Sequence, residues 1–152
     1  MHAAELSPQR LSPQRLVGWR IIATPAALDG AKWPKGSRAV RISPDDVFLI
    51  GAVEPKITGD AHAIVTPEHG FSGIELSAGQ VASIAEQHIE WELPSDFPAS
   101  WFVYPRSATA VLLQGQIAGV PAKLLVAADG SALLLVACAA SHELHSRLES
   151  TT

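Results

Sequence analysis

Phe71-Ser-Gly-Ile-Glu-Leu-Ser-Ala-Gly-Gln-Val-Ala-Ser-Ile-Ala-Glu-Gln-His88 is the stretch on which the fold turns. Residues 71–76 alternate large apolar with small or polar side chains, the period-two pattern of a strand with one buried face. Ser77 and Gln80 then stand at capping-box spacing, so each can satisfy a backbone N–H that the first helical turn leaves open. Val81, Ile84, Ala85, His88 and Ile89 recur at i, i+3, i+4, i+7 and i+8, which makes one apolar stripe to lay on a sheet. A strand that runs straight into a capped amphipathic helix predicts an α+β arrangement.

Downstream, residues 108–114 and 123–127 read as apolar β segments around the loop Gly115-Gln-Ile-Ala-Gly-Val-Pro121. Ala128-Asp129-Gly130 reverses the chain into a strand over 131–137, since Asp-Gly supplies the positive-φ positions a tight hairpin needs. A closing helix is predicted from about Ser141 to Glu149, with Ala140, Leu144 and Leu148 on one side.

Upstream, residues 16–23 and 38–42 have the β-branched and aromatic content of strands, and 24–37, with two prolines and two glycines, reads as loop. Ser43-Pro44-Asp45-Asp46 is turn chemistry that returns 47–53 antiparallel, and 63–66 is a further short strand before the turn Pro67-Glu68-His69-Gly70. Residues 1–15 hold a direct duplication, Leu6-Ser-Pro-Gln-Arg10 then Leu11-Ser-Pro-Gln-Arg15, whose prolines disfavour regular pairing. The expectation is a flexible tail over 1–15 and a single domain over 16–152: an antiparallel or mixed sheet with two helices packed on it.

Composition narrows the function classes. With 152 residues, 47% of them hydrophobic, the chain can bury a core without crosslinks or cofactors. A net charge of -4 and scattered Lys and Arg provide no broad attraction for phosphate backbones or anionic lipid, so neither nucleic acid nor membrane is the expected partner. The single cysteine, Cys138, rules out an internal disulfide and, inside an apolar run, reads as a buried thiol with a raised pKa. No secretory signal pattern opens the sequence and no apolar run is long enough for a bilayer, which makes the cytoplasm the expected location.

The motifs that suggest chemistry weaken when weighed. His142 and His145 lie three apart on a helix, whereas the metalloprotease pair lies four apart with a glutamate between, and no third ligand is near in sequence. Exposed histidines near a helix C-terminus explain them. His62, His69, Asp60 and Glu68 read as turn polarity, Asp45-Asp46 as turn chemistry, and His88 as a member of the helix stripe. No serine occupies a nucleophile elbow, and the Gly70/Gly73 and Gly115/Gly119 pairs lack the remainder of a phosphate-binding motif. No catalytic residue and no metal ligand is assigned, and a non-enzyme is favoured. Trp91, Phe97, Trp101, Phe102 and Tyr104 crowd a proline-bounded segment. Core covering is the plain reading of them; a partner or flat-ligand surface is the sharper one, because rigidly held aromatics suit interfaces.

Three stretches resemble a known family. Arg41-Ile-Ser-Pro-Asp-Asp-Val-Phe-Leu-Ile50 is similar to the Pro-Asp-then-apolar strand of sarcosine oxidase gamma subunits. Ile74-Glu-Leu-Ser-Ala-Gly-Gln-Val-Ala-Ser-Ile84 resembles the strand, turn and helix of the folate-binding N-terminal region of the glycine-cleavage aminomethyltransferase superfamily, to which those subunits are related. Gly115-Gln-Ile-Ala-Gly-Val-Pro-Ala-Lys-Leu124, continuing to Leu148, resembles its hairpin and closing helix. Val120-Pro121 stands where aminomethyltransferases carry an acidic residue, and the chain is too short for their other domains. The resemblance implies an aminomethyltransferase-like scaffold in a non-catalytic accessory subunit, with a protein partner or a homo-oligomer. It implies no tightly bound cofactor, leaves folate or FMN as possible ligands, and marks Trp91, Trp101, Phe102, Tyr104, Gly115 and Gly119 as candidate ligand- or partner-binding residues. The alternative is a small folate- or flavin-binding protein or enzyme.

Overall fold

The computed structural model describes residues 12–88 and 110–149. In chain order the elements are β1 (Gln14–Arg15), β2 (Gly18–Ile22), α1 (Pro25–Asp29), β3 (Arg38–Ser43), β4 (Asp46–Ile50), β5 (Ile64–Glu68), β6 (Phe71–Leu76), α2 (Ala78–His88), β7 (Ala110–Ile117), β8 (Val120–Ala127), β9 (Ala132–Ala137) and α3 (Cys138–Glu149). They make two antiparallel sheets, of five strands in the order β1-β6-β9-β8-β7 and of four in the order β3-β4-β2-β5. The fold is α+β as expected, with two sheets in place of one and three helices in place of two among the described residues. The described residues fall into two compact units, one of 12–15, 70–88 and 110–149 and the other of 16–69, so each sheet belongs to its own unit.

The five-stranded unit contains the stretch that opened the sequence reading. Ser77 Oγ accepts from the Gln80 N–H at 3.2 Å and Gln80 Oε1 accepts from the Ser77 N–H at 2.8 Å, so the capping box forms as read. Ile74, Leu134, Leu124 and Leu113 align across β6, β9, β8 and β7 as one row on the sheet. Val81 and Ile84 of α2 and Leu144 and Leu148 of α3 close over that face to form a continuous apolar core. Burying each such side chain is worth about 1.5–3 kcal/mol, which makes this cluster the main support of the unit.

Three boundaries differ from expectation here. Residues 115–121 are mostly strand: Ile117 pairs with Val120, both are buried, and only Ala118-Gly119 forms the turn. Pro121 fits because the β8–β9 ladder begins one residue later, at Ala122, so its missing N–H is not needed. The closing helix begins at Cys138 rather than Ser141, directly after β9, where the Cys138 N–H donates to Gly70 O at 2.8 Å. Gln14–Arg15, read as part of the tail, pairs with β6 opposite Ser72 and Gly73.

In the four-stranded unit, β2 pairs with both β4 and β5, and β4 with β3. Ile21, Val47 and Leu49 on one face pack beneath Ala27 and Leu28 of α1. That helix is the second departure in kind from the expected loop. Thr24 caps it, accepting from the Ala27 N–H at 3.3 Å, and Pro25 lies in the first turn, where its absent donor costs nothing. The residues 24–37 hold enough breakers to hide a one-turn helix from periodicity. Arg41, 8% exposed, ties the helix to the β3–β4 turn. Its Nη2 donates to Pro44 O at 2.6 Å and Pro25 O at 3.3 Å and lies 3.0 Å from Asp29 Oδ1, while Nε reaches Ser43 O and Pro44 O. The strand 63–66 runs one residue later than expected at its start and extends to Glu68, with Pro67 tolerated because β5 ends the sheet order.

Candidate functional site

Of the six candidate residues, Trp91, Trp101, Phe102 and Tyr104 lie outside the described residues, as does Phe97. Gly115 and Gly119 are both at the β7–β8 hairpin, in structural positions. Gly115 sits in the β7 ladder opposite Ala122. Gly119 has φ +78° and Ala118 φ +51°, so the two central residues form the mirror-image turn that matches the twist of paired strands. The turn is tied to both helices: the Ala118 N–H donates to His88 O at the end of α2 at 2.9 Å, and Arg147 Nη1 of α3 donates to Ala118 O at 2.5 Å. A Cβ on Gly119 would meet Arg147 Nη1 at 2.9 Å. Arg147 is itself paired with Glu143 one helical turn back.

The groups weighed for chemistry disperse. His145 Nε2 lies 3.1 Å from Glu149 Oε1, one turn along α3, off the axis of a hydrogen bond, and His142 is exposed. Asp60 accepts from the backbone N–H of His62 at 2.9 Å and of Thr24 at 3.0 Å, bonds that hold its pKa below the ordinary carboxylate value. Asp45 accepts from Ser43 Oγ at 2.7 Å, whereas Asp46 leaves the turn to pair with Arg20. Arg20 bonds both Asp46 oxygens, at 2.5 and 2.7 Å, and Glu68 at 3.1 Å, and the bond to Asp46 is the main cause of its raised pKa. His88 is half-buried on its helix, and burial lowers its pKa. Among the described residues no group of three or more His, Cys, Asp or Glu could hold a metal ion.

Cys138 departs from expectation. It is half-buried at the first turn of α3, and its pKa is lowered rather than raised. The leading cause is the Ser72 hydroxyl, which donates to Sγ at 3.4 Å, with Arg15 adding a hydrogen bond and its positive charge. Burial along β9 ends at Val136, two residues before the thiol, and the polar neighbours come from β1 and β6.

A feature the sequence reading passed over lies in the four-stranded unit. Residues Gly30, Ala31, Lys32, Trp33, Pro34, Glu54, Lys56 and Thr58 line an open groove of about 470 Å³. Trp33 also packs on the core cluster beneath it. Lys32 and Lys56 look scattered along the chain and meet only when residues 30–34 and 54–58 fold together. The half-buried Trp33-Pro34 pair carried the one local signal, an aromatic held next to a proline.

No protein-family model and no curated protein matches the chain. Among solved structures it is similar to a chain of the heterotetrameric sarcosine oxidase from Corynebacterium sp. U-96, in complex with pyrrole 2-carboxylate, with a TM-score of 0.62 at 12% identity. The match covers 98% of this chain and 90% of that one, so the two are of comparable length. The likeness shows a shared fold. No helix among the described residues is long and apolar enough to cross a membrane.

Proposed function

We propose that this chain is a non-catalytic accessory subunit of a cytoplasmic multi-chain oxidoreductase, comparable to a sarcosine oxidase gamma subunit, and that it works through protein interfaces. The observation that carries this reading is the extent of the fold match. It spans 98% of this chain and 90% of a chain of a heterotetrameric enzyme, an extent that supports a subunit role. The residues around the hairpin agree with it. Gly119, Arg147 and the end of α2 are engaged in holding the turn, which leaves them a scaffold role. In this reading the chemistry, and any folate or flavin, belongs to partner chains, and the aromatics Trp91, Trp101, Phe102 and Tyr104 contribute to the contact.

Native mass spectrometry of the protein purified at endogenous level from its own cells tests the reading. The expected result is a complex of fixed stoichiometry that contains an oxidoreductase chain, shows amine-oxidising activity, and is weakened by Trp101→Ala. Recovery of the chain solely as monomer or homo-oligomer, across gentle conditions, overturns the subunit role.

A further inference from the structure

We propose that the Trp33 groove docks an acidic, extended segment of a partner chain, an inference that rests on the subunit reading and names a surface through which it acts. The chain has only four lysines in a net charge of -4, and three of them, Lys32, Lys35 and Lys56, belong to this groove and its border. Lys32 and Lys56 line it, and Lys35 sits in the turn closed by the Ser37 N–H to Pro34 O bond. All three are exposed and none has a carboxylate partner among the described residues, whereas Arg20, Arg41 and Arg147 are each paired with one. Three unpaired ammonium groups on an acidic protein form a local positive field that selects a negative partner and steers it in.

The other lining residues decide what kind of partner fits. Trp33 and Pro34 offer a rigid apolar floor of the type that anchors interfaces, and Val53, 61% exposed, lies next to Glu54 on the same segment. Glu54 in the wall repels a polyphosphate but accepts from a donor, and the Thr58 hydroxyl does either. An extended peptide supplies all the complements together: carboxylates for the lysines, a backbone N–H for Glu54, and an apolar side chain for Trp33. The groove is open and rimmed by exposed charges, unlike the enclosed and mostly apolar sites that hold small molecules.

The full chain is to be titrated against a fluorescein-labelled peptide of glutamates interspersed with leucine and phenylalanine, with fluorescence anisotropy as readout. The same sequence with lysine in place of glutamate, and inorganic tripolyphosphate, serve as the comparison probes. The expected result is salt-sensitive binding of the acidic peptide alone, weakened about tenfold or more by the combined Lys32→Glu, Lys35→Glu and Lys56→Glu variant, because three exposed attractions are replaced by repulsions, and weakened also by Trp33→Ala. Circular dichroism confirms that these surface variants fold. Equal binding of both peptides, or tripolyphosphate binding that is indifferent to Trp33→Ala, overturns the proposal. The native complex separates the two readings: if the charge-reversed chain still assembles at wild-type stoichiometry, the groove proposal falls and the subunit reading stands. If the wild-type chain forms no complex, the subunit reading falls and the peptide titration alone decides the groove.

Discussion

Cys138 shows how one side chain takes its chemistry from neighbours that are remote in sequence. An apolar run precedes it, and a thiol left among such residues resists ionisation. In the fold its Sγ receives the Ser72 hydroxyl and faces Arg15, and both favour the thiolate. Iodoacetamide alkylation followed against pH is therefore expected to inflect below the ordinary thiol range, and Ser72→Ala is expected to move the inflection upward. An unchanged profile in that variant would show that the hydroxyl does not set the thiol's acidity. The linkage has a definite sign. A thiol pKa depressed by folding stabilises the protein fully above the unfolded value, and that contribution is lost as pH falls through the folded value. Arg41 makes a similar point, since its buried guanidinium joins the nearby carbonyls of residues 43 and 44 to Pro25 O and Asp29, which lie more than ten positions away.

At the level of elements, the β7–β8 hairpin is the most exacting construction in the five-stranded unit. Both turn residues have positive φ, which glycine adopts freely and alanine adopts at about 1–2 kcal/mol. Ala118 is held there because its N–H and C=O are bonded to His88 and Arg147. Ala118→Gly, which keeps both backbone bonds, is expected to raise the thermal midpoint by a few degrees, in line with a gain of about 0.5–1 kcal/mol. Gly119→Ala is expected to lower it, because the new Cβ both strains the backbone and meets Arg147. A midpoint that falls in Ala118→Gly would mean that the alanine methyl contributes more by packing than its conformation costs. The expected loop over 115–121 shrank to two residues for a related reason: Ile117 and Val120 are both buried, and continuing the ladder buries them together.

For the whole molecule, stability concentrates where strands are paired on both sides and covered. In the five-stranded sheet β9 lies between β6 and β8, and all its residues but the last are buried. In the four-stranded sheet β2 and β4 are the inner strands. Amide hydrogen exchange is accordingly expected to be slowest in β9, β2 and β4 and faster in β3, β5 and β7, which end the strand orders among the described residues. Uniform protection across each sheet, or β7 outlasting β9, would contradict this ranking. Within the four-stranded unit the residues lining the Trp33 groove, 30–34 and 54–58, fall outside β2 and β4, as loops carrying function usually do.

Local physics made much of this chain legible in one dimension. Alternation marked β6, apolar spacing marked α2, Ser77 and Gln80 marked its cap, and Asp129-Gly130 marked the β8–β9 turn, because periods, caps and tight turns depend on residues a few positions apart. The resemblance of residues 41–50 to a sarcosine oxidase subunit agrees with the fold shared with a sarcosine oxidase chain. Tertiary structure alone decided that there are two sheets, that Cys138 meets Ser72, that Arg41 reaches α1, and that Lys32 and Lys56 share a groove. Each of these depends on which strand pairs with which and in what register. Side-chain periodicity says which face of an element is buried, but it does not say which distant element will cover that face.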